Sequence, residues 1–253
     1  MRPAAVGFHC PDDAAEASQG VRQPRTAAGG ALPERPGLVT LVLIGLNLLA
    51  FLPYLAGGPV REQAVAWGAM LGSEAFFRDA GAVPGVAQGA YWRLLTSAFL
   101  HGSVLHIAFN MYALYLFGPT LERILGSLRF LALYLVCAVS GSVMAYWFTG
   151  PLTSTLGASG AVFGLFGAAL ILLYQRGQDV SFLLILLVLN VALSFRPGVS
   201  WQGHFGGLLA GLLIGAVVAY TPRAHRNAAQ IGLYAVLIGG LAAAVLARTL
   251  VLT

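Results

Sequence analysis

Three short stretches of the sequence hold side chains whose types and spacing could do chemistry. His106 and Asn110 stand four residues apart, so on a helix they share one face and can point at one atom. Ser159 stands in Gly157-Ala158-Ser159-Gly160, followed by Gly164 and Gly167. His204 is followed by Gly207, Gly211 and Gly215 at four-residue intervals. A serine and a histidine on neighbouring helices suit a nucleophile and its general base. Acyl transfer also needs donors aimed at the developing oxyanion, and His106, Asn110 and the backbone N–H of Ser159 can supply them. No Asp or Glu lies inside an apolar run near these residues, since Asp179 and Glu122 fall at the opposite end of their runs. The set therefore reads as a dyad, without the orienting carboxylate of a triad.

The elements that must position these residues follow from composition. Of 253 residues, 58% are hydrophobic and 9% charged, with a mean hydropathy of +0.80. A soluble domain carries about 25% charged residues, so a soluble enzyme and a disordered chain are both excluded. The expected class is all-α and polytopic, with about seven transmembrane helices. The net charge of +5 comes from 14 arginines and no lysine, scattered along the chain. That pattern reads as a topology signal, and no nucleic-acid partner is expected. Cys10 and Cys137 stand too far apart in sequence to suggest a disulfide framework.

Residues 1–37 are polar, lack the pattern of a signal peptide, and read as a cytosolic tail. Apolar runs follow at 38–56, 101–118, 128–149, 157–175, 180–195, 203–220 and 229–250. With the N-terminus inside, nine arginines fall on the inner side and five on the outer, which favours that orientation. The second, fourth and sixth runs then all start at the outer face. His106 and Asn110 lie one to two turns into the second, Ser159 at the top of the fourth and His204 at the top of the sixth. Polar groups from three separate stretches thus reach one depth, where each is costly and so a candidate for function. The stretch 57–100 mixes Trp67, Phe76 and Phe77 with Arg61, Glu62 and Arg78. It suits either a segment lying in the headgroup region or an ordinary loop.

Other polar residues in the runs have plainer readings. Asn47 and Asn190 suit interhelical bonding, and Ser140 and Ser142 suit packing. His101 is turned about 140° from His106 on a helix and reads as a histidine bonding a loop. The glycine stripes let helix backbones approach closely. Composition and spacing leave a Ser-His hydrolase, a membrane scaffold and a small transporter all open.

The run His101-Gly-Ser-Val-Leu-His106-Ile-Ala-Phe-Asn110 resembles the second-helix motif of the rhomboid intramembrane serine proteases. Gly157-Ala158-Ser159-Gly160 resembles their GxSG nucleophile motif, and His204-Phe-Gly-Gly207-Leu-Leu-Ala-Gly211 their HxxGxxxG motif. Trp92-Arg93 resembles their membrane-embedded loop signature, and Glu122-Arg123 the end of the same second helix. The resemblance implies a six-helix catalytic core over 38–220, with an added C-terminal transmembrane helix over 221–253. It implies Ser159 as nucleophile and His204 as base, with His106, Asn110 and the Ser159 amide as the oxyanion hole. Gly157, Gly160, Phe163, Gly207 and Gly211 would support that site. Phe163 stands where the family often has a tyrosine stacked on the histidine, and Gly203 where alanine is common. The implied substrates are single-span or polytopic membrane proteins. The implied location is the cell membrane, with a cytoplasmic N-terminus and a site open to the extracytoplasmic face. Phe8-His9-Cys10-Pro11-Asp12-Asp13 resembles the end of a small zinc module found before some bacterial relatives. Asp13 stands where the second cysteine would be, so the tail reads as a remnant of such a module. No metal and no cofactor are expected.

Overall fold

The computed structural model describes residues 24–253, and ahead of them only residues 2–3, 8–10 and 12. Arg2–Pro3 (β1) pairs antiparallel with Phe8–His9 (β2). Pro11 and Asp13 of the tail motif, and with them most of the expected tail, lie outside the described residues. From Thr26 the chain is fastened to the bundle. Thr26 Oγ1 donates to the Leu125 carbonyl, and Gln230 and the Arg129 guanidinium both donate to the carbonyl of buried Ala28.

Hydrocarbon offers no partner for backbone N–H and C=O groups, so apolar runs of this length resolve into helices. These are α1 (Leu38–Ala50), α2 (Leu52–Ala56), α3 (Gly58–Gly68), α4 (Arg93–Thr96), α5 (Val104–Leu125), α6 (Ser127–Phe148), α7 (Ser159–Tyr174), α8 (Ser181–Ser194), α9 (Trp201–Tyr220) and α10 (Arg226–Leu252). Five segments are long and apolar enough to cross a membrane: the α1–α2 pair, α5, α6, α9 and α10. The fourth and fifth expected spans form shorter helices, α7 with 16 residues and α8 with 14. At 1.5 Å per residue, α7 is about 24 Å long against a hydrocarbon core of about 30 Å. It can be short because it is central: Gly160 to Ala169 are all buried.

Backbone contact sets the spacing around α7. A β-carbon on Gly207 of α9 would lie 1.8 Å from the Gly160 carbonyl oxygen of α7, and one on Gly211 2.0 Å from that of Gly164. A β-carbon on Gly206 would meet the Ser140 carbonyl of α6 at 2.5 Å, and one on Gly141 of α6 the Gly203 carbonyl at 2.7 Å. Only hydrogen fits along this seam, so α6, α7 and α9 meet main chain to main chain. Gly160 packs on Gly141, which stands seven residues before the end of α6. The start of α7 therefore lies about 10 Å below that end of α6.

Two buried charged residues tie the periphery down. Arg93 is fully buried and donates to the carbonyls of Pro84 (2.8 Å), Ala69 (2.7 Å) and Ala66 (2.6 Å). It holds α3 and the hairpin of β3 (Ala75–Phe77) and β4 (Gly81–Val83) together, so the stretch 57–100 is a folded unit. Trp92 beside it donates from Nε1 to the Trp67 carbonyl at 3.0 Å. Glu122, also fully buried, accepts from the Val39 and Thr40 amides at 3.3 Å each and from the Ser127 hydroxyl at 2.8 Å. A carboxylate there caps the first turn of α1, where the helix dipole favours negative charge.

Candidate active site

Ser159, His106 and His204 all lie in the first turn, or at its edge, of their helices. Ser159 opens α7, with its backbone N–H among those that no intrahelical carbonyl can reach. His106 is the third residue of α5, and its amide donates to the capping hydroxyl of Ser103 at 3.1 Å. His204 is the fourth residue of α9, whose cap, Ser200, accepts from the Gly203 amide at 3.3 Å. Three helix N-termini thus turn toward one region, and their dipoles favour negative charge there.

The turn before Ser159 brings two of these residues together. Gly157 has a φ of 131°, and its amide donates to the Ser97 carbonyl at 2.9 Å. A β-carbon there would lie 2.6 Å from His106 Nε2 and 3.5 Å from Ser159 Oγ. The His106 ring nitrogen therefore faces the serine across a space that only glycine leaves open. Asn110 is buried, and its Nδ2 donates to the His106 carbonyl at 3.0 Å, which leaves one amide N–H uncommitted by that bond.

His204 is held from two sides. Phe163, one turn below Ser159 on α7, stacks on its ring with centroids 4.2 Å apart and planes 11° from parallel. Ser194, the last residue of α8, lies 2.6 Å from His204 Nδ1 through its Oγ. Beside Ser159 is a cavity of about 30 Å³, lined by Ser97, Ser142, Thr155, Gly157, Ser159, Ser200 and others. A water needs roughly 10–15 Å³ and several polar partners, so ordered water fits there.

Trp92 and Arg93 make their bonds within the loop unit, and neither lines the cavity beside Ser159. Gly160, Gly207 and Gly211 form the seam that sets the distance between α7 and α9. His101, ahead of α5, is 4% exposed, bonds the Phe99 carbonyl through Nδ1 and meets the His106 ring edge-on at 5.0 Å. Ser142 does more than pack, since its hydroxyl bonds that of Ser97 at 3.2 Å on the cavity wall. The sequence reading missed Ser97, Ser194 and Ser200. Serine is common in apolar helices, and the one available signal was Ser194 next to the end of its run, ten residues before His204.

Residues 88–221 match the Rhomboid domain model. The chain is 35% identical over 187 residues to Rhomboid protease GluP of Bacillus subtilis, which covers 71% of this chain and 34% of GluP. It is 41% identical over 137 residues to YdcA of the same bacterium, covering 51% of this chain and 68% of YdcA. Rhomboid-type serine protease 2 of Emericella nidulans is 33% identical over 168 residues, 62% of this chain and 33% of that protein. The match thus spans about a third of GluP's own length. The chain belongs to the rhomboid family and is an integral, multi-pass membrane protein.

Proposed function

We propose that this chain is an intramembrane serine protease that hydrolyses peptide bonds in or near transmembrane segments of other membrane proteins. The observation that carries the reading is the meeting of three helix N-termini, with His106 facing Ser159 across Gly157 and His204 stacked on Phe163 one turn away. Ser159 Oγ attacks the carbonyl carbon of the scissile bond while His204 Nε2 takes its proton. The oxyanion accepts from the Ser159 amide, His106 and the second N–H of Asn110, each such donor typically worth about 3–4 kcal/mol in the transition state. His204 then returns the proton to the leaving amine. Water then cleaves the acyl-enzyme, with the cavity beside Ser159 as its reservoir.

Substrates are single-span or polytopic membrane proteins whose cleaved segment can reach a serine about 10 Å below the helix end. The nine-to-five arginine division supports a cytoplasmic N-terminus and a site opening on the extracytoplasmic side of the cell membrane.

Purified protein should be labelled by a fluorophosphonate probe, and Ser159→Ala should abolish the label. Equal labelling of the variant would reject the assignment. A catalytically silent scaffold or a transporter predicts no label on the wild-type protein.

A further inference from the structure

We propose that Ser194 is a positioning residue for the general base, holding His204 in the tautomer whose Nε2 is free to take the Ser159 proton. The proposal rests on the Ser159–His204 reading above. Ser194 is 1% exposed, and its Oγ lies 2.7 Å from the Asn190 carbonyl oxygen and 2.6 Å from His204 Nδ1. A hydroxyl has one proton to give, and a carbonyl oxygen only accepts. Both contacts are satisfied together in one way: Ser194 donates to Asn190 and accepts from Nδ1–H of His204. The neutral imidazole then carries its proton on Nδ1 and its lone pair on Nε2. The opposite tautomer would present a donor to Ser159 and could not act as its base.

A serine bonded to the carbonyl four residues back is common at helix ends and needs no function. That habit does not account for the contact with Nδ1. The bond also fixes the Ser194 rotamer, so the oxygen offered to His204 is held in place. With Phe163 stacked on the ring face at 4.2 Å, the imidazole is constrained both in plane and in rotation.

The bond strengthens as the reaction proceeds. When Nε2 takes the proton, Nδ1–H becomes the donor of an imidazolium, and charge-assisted bonds are about twice as strong as neutral ones. An interaction that grows toward the transition state acts on turnover rather than on binding. A carboxylate does this work in a Ser-His-Asp triad. Here the oxygen is neutral and backed by a main-chain carbonyl, so no second charge is buried among apolar helices.

The test uses full-length protein in detergent and a fluorophosphonate probe, with saturation kinetics separating probe affinity from the rate of covalent labelling. Ser194→Ala should slow the covalent step roughly 10- to 100-fold with affinity unchanged, and Ser194→Thr, which keeps the hydroxyl, should recover most of it. Labelling of Ser194→Ala at the wild-type rate, or failure of Ser194→Thr to recover, overturns the role of Ser194 alone. A wild-type protein that does not label, or a label that survives Ser159→Ala, overturns the dyad reading and this proposal with it. A readout on unmutated Ser194 stands apart from how the variants fold. The 15N signals of His204, assigned by their loss in His204→Gln, should show the neutral ring protonated at Nδ1, and protonation at Nε2 overturns the proposal.

Discussion

At the scale of single residues, the site is built by what is small or uncharged. Gly157 leaves the gap across which His106 faces Ser159, and a methyl group there would occupy it. His101 shows the same economy with a titratable side chain. It lies outside the membrane-spanning helices, yet burial, aided by the neighbouring His106 ring and opposed by the bond to Phe99, lowers its pKa to about 4. An unfolded chain takes up a proton near the ordinary histidine value of about 6.5, and the folded one only near 4. The stability contributed by neutral His101 is therefore complete above pH 6.5 and is lost as pH falls toward 4. Melting temperatures between those limits should fall more steeply for the wild-type protein than for His101→Gln, and parallel curves would reject this assignment. The main site residues stand out in the sequence because polar residues are rare in apolar runs. Ser194 does not, because its partner lies on another helix and one serine among many carries no periodic signal.

At the scale of elements, the glycine seam decides how far apart the helices stand. Gly207→Ala would drive a methyl group into the Gly160 carbonyl, whereas Gly239 of α10 has nothing within 4 Å of its β-position. Overpacking of this kind costs about 1–3 kcal/mol. Thermal or denaturant unfolding in detergent should show that loss for Gly207→Ala, together with loss of labelling at Ser159. Gly239→Ala should leave both unchanged, and an equal response of the two variants would remove the seam from the argument. The seam was legible in the sequence as four-residue glycine spacing. The start of α7 was not, because Gly157 and Ala158 before it are small and uncharged, and hydropathy does not register where a helix begins inside a bundle. The unit around Arg93 was legible only as an amphipathic mixture, since its cohesion depends on three main-chain carbonyls that no side-chain pattern announces.

At the scale of the whole molecule, the helices divide into a tight interior and an apposed exterior. Among the described residues of α10, Gln230 and Val245 are the buried ones, and its polar links to the rest of the bundle join Gln230 to Ala28, Arg226 to Ala27, Asn227 to Arg129, Thr249 to Tyr146, Arg248 to the Tyr146 carbonyl, and the Ala244 carbonyl to Trp147. None of these touches Ser159, His106 or His204. A chain ending after Thr221 should therefore still label at Ser159 while melting at a lower temperature, and loss of labelling in a folded truncated protein would assign α10 a part in the site. The interior has a different relation to change. Every glycine codon begins with GG, and each single-base substitution that alters it installs a larger side chain or stops translation. Where Gly160, Gly164, Gly207 and Gly211 meet, heredity thus has no small step to take, whereas Gly232, Gly239 and Gly240 of α10 have open space where a side chain would go.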